Sequence, residues 1–356
     1  MATTGVAEAK GTGGIDKMAA LKEIYNKLKA EVLEDHAAEI TNESAVQWID
    51  RMVDYNVLGG KCNRVLFVID SYNILKGADV LSQEEIFLAC TLGWCIEWLH
   101  AYFIVLDDIM DNSQTRRGRP CWFTVPQVGL IAINDAIILR NHVPRILRHH
   151  FKGKLYYIDI IDLLNEAEFK VVSGELLDLI ITHEGRKDLT RYNETIYRHI
   201  AEYKCAYHSF YIPVACALLL AGENLGNFGD VKNILIEIGI YFQIQDDYLD
   251  CFGDPEFMGK IGTDIEESKC SWLVVQALEH ADENQKSILF ENYGKSDPAC
   301  VAKVKDLYKE LNLELVYREY EREIYIKLIA DIEAQPNKAV QTILKSFLHK
   351  IYKRQK

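Results

Sequence analysis

Two acidic clusters at the ends of apolar segments are the feature that most limits how this chain can fold. Residues 107–111 read Asp-Asp-Ile-Met-Asp after the apolar segment 102–106, and residues 246–250 read Asp-Asp-Tyr-Leu-Asp after the segment 238–244. If both segments are helical, the first and last Asp of each cluster share one helix face. The fold must then place positive charge among six carboxylates, and hard divalent cations prefer such oxygen ligands. The alternative is two acidic helix ends in water.

Helical patterns dominate the rest of the chain, and its 356 residues include only 7 Pro. Residues 82–85 match a capping box that opens a long apolar helix reaching Asp107. Because apolar residues cover most of its circumference, this helix should be central and buried. Further helices are predicted at about 123–150, 155–182, 191–221, 229–251, 267–281, 283–293, 298–309, 313–333 and 337–352.

These patterns predict an all-α fold, a single large helical bundle with a central substrate cavity. Residues 1–14 are rich in Gly, Ala and Thr and are predicted to be a disordered tail, which leaves 15–356 as one domain. The N-terminal segment lacks the apolar stretch of a signal peptide and the Arg residues of a transit peptide. The longest apolar run is interrupted by Glu97 and His100, so we expect no membrane span.

Charge and cysteine usage exclude other classes of protein. The net charge of −13 argues against a nucleic-acid-binding protein, which needs a basic face. The 9 Cys are scattered, odd in number and without zinc-ligand spacing. They indicate buried reduced thiols and a cytoplasmic protein.

Basic residues accompany both acidic clusters. Lys61 and Arg64 follow two glycines, Arg116 and Arg117 follow the first cluster, and Lys260 follows the second. Each alone is equally consistent with an ordinary loop, but together they predict a site for two or more metal-bridged phosphate groups. Without a P-loop or a GxGxxG motif, the phosphates are not expected to belong to a nucleotide. The apolar helices that lead into both clusters predict a cavity for an apolar substrate tail below a charged rim. Such a site suits ionisation of an allylic diphosphate.

Five motifs resemble those of the short-chain prenyl diphosphate synthases, and among them the eukaryotic farnesyl diphosphate synthases. They are GGKCNR (59–64), DDIMDNSQTRRGRPCW (107–122), FQIQDDYLDCFGDP (242–255), GKIGTDIEESKCSWLVVQAL (259–278) and KIYKRQK (350–356). The resemblance runs from about residue 55 to the C-terminus. It implies the isoprenoid synthase fold, a homodimer and about three Mg²⁺ ions per site, replaceable by Mn²⁺ or Co²⁺. It also implies condensation of isopentenyl diphosphate with dimethylallyl or geranyl diphosphate to give farnesyl, or alternatively geranyl, diphosphate.

The resemblance assigns roles to individual residues. The metals would be flanked by Asp107, Asp108, Asp111, Asp246, Asp247 and Asp250, with Asp107, Asp111 and Asp246 as direct ligands. The allylic diphosphate would be held by Arg116, Lys204, Lys260 and Lys269, and isopentenyl diphosphate by Lys61, Arg64, Arg117 and the tail around Arg354. Gln243 and the main chain near Lys204 would face the carbocation. The catalytic residues would be Lys204, Gln243 and Arg116.

Four positions depart from the pattern that is usual in eukaryotic members. His100 stands for Gln in the isopentenyl site, Glu175 for Gln near the metals, Cys205 for a Thr that faces the reacting carbons, and His208 for Tyr. These departures bear on turnover, product and metal preference. In this family, bulky side chains just before the first cluster form the floor of the pocket, here Tyr102 and Phe103, although ordinary core aromatics are the alternative.

Two other functions fit the same scaffold. A terpene synthase would ionise and cyclise an allylic diphosphate, such as farnesyl diphosphate, without isopentenyl diphosphate. Lys61, Arg64 and Arg117 argue against it because they belong to the isopentenyl site. A non-catalytic regulatory subunit would have lost Asp residues from the clusters, and none is lost.

Overall fold

A computed structural model describes residues 13–77, 80–254 and 262–354 of the chain. Almost all of them are helical, and the all-α prediction is confirmed. The first half contains α1 Gly13–Ile40, α2 Glu43–Val57, α3 Asn63–Lys76, α4 Gln83–Met110, α5 Ile131–Phe151, α6 Tyr157–Gly185, α7 Glu194–Ile200 and α8 Ile212–Leu220. The second half contains α9 Gly229–Phe252, α10 Asp264–Glu267, α11 Trp272–His280, α12 Glu283–Asn292, α13 Pro298–Glu310, α14 Leu313–Glu333 and α15 Lys338–Ile351.

Helix α4 is the central helix of the bundle, as its sequence predicts. It begins at a capping box in which the Ser82 side chain accepts from the Glu85 backbone and the Glu85 carboxylate accepts from the Ser82 backbone. Among the described helices, α4 alone is long and apolar enough to cross a membrane. However, 78% of its most apolar 18-residue window is buried inside the bundle. Its apolar surface therefore forms the protein core, where Trp94 and Trp98 are fully buried.

A hydrogen-bond chain links α4 to α5 and α1. The Trp98 indole donates to His142 Nδ1 at 3.2 Å, and His142 Nε2 lies 2.9 Å from His36 Nε2. Because an indole N–H can only donate, a neutral His142 carries its proton on Nε2 and donates to His36. This chain of polar contacts fixes the three helices to one another within an otherwise apolar core.

A π-helical segment, Ala201–Tyr211, separates α7 from α8 and packs against α6 and α9. Two glycines allow this close approach. A Cβ at Gly174 would lie 2.8 Å from the Lys204 backbone nitrogen, and one at Gly239 would lie 2.5 Å from the Ala206 Cα. The wider helix turns the side chains of 201–211 out of the register that an α-helix would give them.

The connection after α4 is a very short hairpin. Strand β1, Thr115–Arg116, pairs antiparallel with β2, Arg119–Pro120. The turn between them uses left-handed backbone at Arg117 (φ 55°) and Gly118 (φ 72°). Three arginines are thereby held beside the end of α4 by backbone geometry as well as by their side-chain contacts.

Three predicted helices differ from the observed ones. The helix expected from about residue 123 begins only at Ile131, because Pro126 and left-handed backbone at Gln127 and Gly129 break the chain after a short 3₁₀ turn at Trp122–Thr124. The helix expected at 191–221 is divided into a 3₁₀ turn, α7, the π segment and α8. The helix expected at 267–281 is interrupted at Ser268, whose φ is 62°.

Residues 1–12 lie outside the described residues, and α1 begins at Gly13. The division of the chain into a tail at 1–14 and one domain at 15–356 therefore stays a prediction. Lys260, predicted to bind the allylic diphosphate, also lies outside the described residues.

Candidate active site

The first acidic cluster ends α4, and each of its carboxylates has a basic partner. Arg116 Nη2 donates to Asp107 Oδ2 at 2.8 Å and to Asp108 Oδ1 at 2.6 Å. Lys269 Nζ donates to Asp111 Oδ2 at 2.8 Å. The cluster is thus surrounded by cations from the hairpin and from the segment after α10.

Lys204, from the π segment, joins three carboxylates from two other helices. Its Nζ lies 3.1 Å from Asp107 Oδ1, 2.9 Å from Glu175 Oε2 and 2.9 Å from Asp178 Oδ2. Burial alone would lower the pKa of Lys204, but the carboxylates outweigh it and hold that pKa well above its ordinary value. Lys204 is therefore a fixed positive charge beside the first cluster.

The three carboxylates around Lys204 are not equivalent. Burial tends to raise the pKa of Asp107 and of Asp178, but Lys204 and neighbouring cations reverse the effect and hold both below the ordinary value. Burial raises the pKa of Glu175 to about 7, and the charges on Asp107 and Asp178 add to it. Glu175 Oε1 is buried and has no hydrogen-bond partner within the described part of the chain. Glu175 is therefore the carboxylate most easily protonated.

The second cluster ends α9 and has different partners. Asp246 Oδ1 accepts from Arg354 Nη2 at 3.1 Å, so the C-terminal tail reaches this cluster. Asp250 Oδ2 accepts from the backbone N–H of Asp264 at 3.1 Å. The Arg354 guanidinium also lies 3.8 Å above the Phe242 ring, which fixes the tail residue from a second side.

The middle Asp of each cluster faces into the protein. Asp108 is 3% exposed, and Arg116 Nε donates to it at 2.9 Å. Asp247 is 6% exposed and accepts from the Trp272 backbone N–H at 2.8 Å and from Gln243 Nε2 at 2.9 Å. Burial raises the pKa of Asp247 to about 7. These two carboxylates already have protein donors, whereas the outer Asp residues are on the more accessible side.

A second group of basic residues lies at the start of α3. The Arg64 backbone N–H and Nη1 donate to Glu97 of α4 at 3.2 and 3.5 Å, and Arg64 Nη2 donates to Ser209 Oγ at 2.8 Å. Arg117 Nη1 donates to the Leu58 carbonyl at 3.0 Å, and Lys61 is exposed. Burial lowers the pKa of Arg117, and despite Glu97 the neighbouring Arg64, Arg119 and Arg116 lower it further. Crowded guanidinium groups of this kind favour an anion between them.

Rings of α4 and the π segment pack on one another about one to two turns before the first cluster. Tyr102 and Phe103 lie with ring centroids 5.0 Å apart, and His100 stacks on His208 at 5.7 Å. Burial holds the pKa of His100 well below its ordinary value, with Arg64 adding to the effect. His100, predicted to bind isopentenyl diphosphate, is therefore a neutral imidazole.

Cys205 lies near Arg64, near Arg354 and near Asp246 of the second cluster. Burial raises the pKa of its thiol to about 12, Asp246 raises it further, and Arg64 and Arg354 oppose the rise. The side chain therefore lies within electrostatic reach of α3, α9 and the C-terminal tail. The structure thus brings together the residues that sequence analysis placed around the two clusters, with Lys61 exposed in the loop before α3 and Lys260 outside the described residues.

Comparison with known proteins identifies the family. The Polyprenyl synthetase profile matches residues 46–311. The chain belongs to the polyprenyl synthetase family. It is 74% identical to a farnesyl pyrophosphate synthase from Zea mays over 98% of this chain and 99% of the relative. It is 63% identical to farnesyl pyrophosphate synthase 1, mitochondrial, from Arabidopsis thaliana, over 94% of this chain and 86% of that one.

Solved structures of the polyprenyl synthetase family show the same architecture. T. brucei farnesyl diphosphate synthase complexed with minodronate superposes with a TM-score of 0.90 at 32% sequence identity, over 95% of this chain and all of that one. The same enzyme complexed with risedronate gives a TM-score of 0.89. The predicted isoprenoid synthase fold is confirmed.

The donor set fits the metal dependence of the polyprenyl synthetase family. Within residues 13–77, 80–254 and 262–354, no three His, Cys, Asp or Glu side chains are grouped closely enough to hold an ion as they stand. Among the outer carboxylates, Asp107, Asp111 and Asp246 instead pair with ammonium and guanidinium groups. Oxygen donors that already attract this many cations have the chemistry that Mg²⁺ requires. The candidate metal ligands are therefore Asp107, Asp111 and Asp246, the three that sequence analysis named as direct ligands.

Sequence analysis did not predict that three further residues contribute to the site. Asp178 contacts Lys204, Glu97 contacts Arg64, and His208 contacts the aromatic wall rather than merely departing from the family pattern. Asp178 could have been found, because it lies three residues after Glu175 on the same helix face. Glu97 was taken only as an interruption of an apolar run, although a buried carboxylate requires a partner.

Proposed function

We propose that this protein is a chain-elongating prenyltransferase. It condenses isopentenyl diphosphate with dimethylallyl diphosphate and then with geranyl diphosphate to give farnesyl diphosphate. The observation that carries the proposal is the crowded group of Arg64, Arg117 and Arg119, with Lys61 in the same loop region. It is a second anion site, separate from the carboxylate clusters. An enzyme that only ionises one allylic diphosphate has no use for it.

The residues divide the reaction between the two sites. Arg116 and Lys204 hold the allylic diphosphate and stabilise it as its C–O bond breaks. Arg64 and Arg117 hold isopentenyl diphosphate, whose double bond forms the new C–C bond. Bound Mg²⁺ supplies further positive charge to the leaving diphosphate. The rings below Asp107 exclude water from the carbocation, with the Gln243 amide and Cys205 beside it.

The proton lost when the C–H bond breaks after C–C bond formation passes to the departing diphosphate. His100, which is half-buried, and His208, which is buried, are both neutral, and neither is needed as a permanent charge in the site. The net change is one C–O bond broken, one C–C bond formed, and one proton transferred to diphosphate.

Product analysis tests the proposal. The purified protein is incubated with Mg²⁺ and dimethylallyl diphosphate, with and without isopentenyl diphosphate, and the series is repeated with Mn²⁺ and Co²⁺. Longer diphosphates that form only when both substrates are present support the transferase. A hydrocarbon formed from farnesyl diphosphate alone would show a terpene synthase instead.

We also propose that Tyr102 and Phe103 form the floor of the hydrocarbon pocket. They lie five and four residues before Asp107 on α4, about one turn below the charged end of the site. Bulky rings at this depth stop elongation at farnesyl diphosphate, and a higher position of the floor would give geranyl diphosphate. Truncating Phe103 should therefore lengthen the product.

We infer that the protein forms a homodimer through α5 and α6. Helix α6 exposes Phe169, Val172, Leu176 and Ile180 along one face, and the adjacent α5 exposes Ile133 and Ile137. A contiguous apolar surface of this kind is uncommon on a monomer, and a second copy of the same face would cover it. We further propose that the protein functions in the cytoplasm, since its scattered cysteines suit a reducing compartment.

A further inference from the structure

The imidazole of His208 is buried without hydrogen bonds. The residue is 2% exposed, and neither ring nitrogen has a partner within the described part of the chain. A buried polar group left unpaired costs about 1–3 kcal/mol. Most buried polar side chains in proteins are paired, so this exception requires an explanation.

Two rings of α4 surround His208. Its ring meets Phe103 edge to face, with centroids 5.2 Å apart and an interplanar angle of 86°. On another side it stacks on His100 at 5.7 Å. An edge-to-face aromatic contact is worth about 0.5–1.5 kcal/mol, which does not offset two unpaired nitrogens. Stability alone therefore does not account for His208.

His208 on the π segment and Phe103 on α4 occupy corresponding positions relative to the charged end of the site. Lys204 and Asp107 meet at 3.1 Å at the charged end of the site. His208 lies four residues beyond Lys204 in the π segment, and Phe103 lies four residues before Asp107 in α4. Both steps lead away from the charged end, and the two rings meet again about one turn deeper.

We propose that His208 is a positioning residue that holds the Phe103 ring across the hydrocarbon pocket and so limits product length. The inference rests on the proposed function and on Phe103 as the floor. His208 acts through Phe103, because its own nitrogens are enclosed and the ring of Phe103 is the less buried of the two. A Phe103 side chain without this support can rotate away from the growing chain.

The test compares products of four proteins supplied with excess isopentenyl diphosphate: wild type, His208→Ala, Phe103→Ala and the double variant. We expect geranylgeranyl diphosphate to rise from a trace to at least about a tenth of the product in His208→Ala. We expect Phe103→Ala to give at least as much, and the double variant to give no more than Phe103→Ala. Such non-additivity is the signature of residues acting through one contact.

A matched control keeps the ring and removes the nitrogens. His208→Phe should retain farnesyl diphosphate as the main product, with a melting temperature at or above that of the wild type. If His208→Ala does not fold, His208→Val replaces it, because its side chain is too short to reach the Phe103 ring as the imidazole does, and lengthening in the same direction is expected.

The possible results distinguish an error in the role of His208 from an error in the proposed pocket floor. Lengthening in Phe103→Ala but not in folded His208→Ala, or in the variant that replaces it, overturns the role of His208 alone. Unchanged products in both, with transferase activity intact, overturn the floor itself and the His208 role with it. An additive effect in the double variant also overturns the proposal, because His208 would then act independently of Phe103.

Discussion

Lys204 Nζ lies 2.9 Å from Glu175 Oε2, in a site whose ligand carries negative charge. If Lys204 holds the allylic diphosphate as proposed, Glu175 competes with that substrate for the same ammonium group. Asp107 and Asp178 contact that ammonium as well, so the site has an excess of carboxylate around a single lysine. The protonation state of Glu175 then decides how much of the positive charge of Lys204 is available to the substrate.

Replacing Glu175 with Gln should strengthen binding of the allylic diphosphate. Burial, followed by the charges of Asp107 and Asp178, raises the pKa of Glu175 to about 7, so the side chain is mostly ionised at pH 8 and mostly protonated at pH 6. We expect KM for dimethylallyl diphosphate to fall by up to about tenfold at pH 8, or ~1.4 kcal/mol. The difference from wild type should shrink at pH 6.

Asp178→Asn is the control for Glu175. Burial acts to raise the pKa of Asp178, but Lys204 and Lys269 hold it below the ordinary value, so Asp178 stays ionised over this range. Its substitution should therefore shift KM equally at pH 6 and pH 8. A Glu175→Gln effect of the same size at both pH values would contradict the assigned role.

Neutralising Asp107 should mainly lower activity, whereas neutralising the adjacent Asp108 should mainly lower stability. Asp107→Asn should lower kcat about 100-fold or more while the melting temperature changes little, because Asp107 is a proposed metal ligand. Asp108→Asn should mainly lower stability, by about 1–3 kcal/mol, since Asp108 is enclosed and Arg116 is partly exposed. Steady-state kinetics with a Mg²⁺ titration and thermal unfolding distinguish the two. Equal losses of activity without loss of stability would show that both bind metal.

Glu97 should affect only the isopentenyl substrate. It accepts from the backbone and the side chain of Arg64 and so fixes where the guanidinium points. Glu97→Gln should raise KM for isopentenyl diphosphate about tenfold, or ~1.4 kcal/mol, with KM for the allylic substrate within about twofold of wild type. Glu85, which caps the same helix far from Arg64, provides the comparison through Glu85→Gln. A parallel rise in both KM values would indicate general damage to α4.

His142 should be one of the histidines, with His100 and His208, through which acid destabilises the protein. Burial, with smaller contributions from His36 and Arg145, lowers the pKa of His142 to about 3 in the folded state, below the ordinary value near 6.5. The unfolded chain therefore binds the extra proton between these values, and stability is lost as pH falls below about 6.5. The slope for one proton is at most about 1.4 kcal/mol per pH unit.

Urea unfolding between pH 7.5 and 5 measures this effect. His142→Gln should flatten the dependence of the unfolding free energy on pH, although it lowers stability at pH 7.5 by removing part of the Trp98–His36 chain. His149→Gln, on the exposed side of the same helix, should retain the wild-type slope. An unchanged slope in His142→Gln would assign acid sensitivity to other groups.

The proposed subunit interface should be disrupted by charge. Phe169 is 66% exposed on the apolar face of α6, and Phe169→Glu should shift the protein from dimer to monomer at micromolar concentration. Ile326 of α14 is 62% exposed outside this face, and Ile326→Glu should leave the dimer intact. Sedimentation velocity separates the outcomes. A wild-type protein that sediments as a monomer, or Phe169→Glu that stays dimeric, would place the interface elsewhere.

The sequence predicted the fold class and most of the site because both depend on local patterns. The capping box at Ser82, the buried α4 and the basic segments around both clusters are readable from composition and spacing. The π segment was not predicted, since an apolar pattern of ordinary helical period does not show where a turn widens. The sequence also did not distinguish Asp108 and Asp247 from the outer Asp residues of the two clusters. Each of the two faces inward to a partner that the spacing of the cluster does not reveal, Arg116 for Asp108 and the Trp272 backbone for Asp247.

The π segment has a consequence for how this enzyme can change. Lys204 and His208 project from one short stretch of backbone that Gly174 and Gly239 press from both sides. A single inserted or deleted residue, or a methyl group at either glycine, would displace the leaving-group end and the hydrocarbon end together. New product lengths should therefore arise by side-chain substitutions that leave the backbone of the π segment in place. Evolution of this segment is then restricted to substitutions, without insertions or deletions.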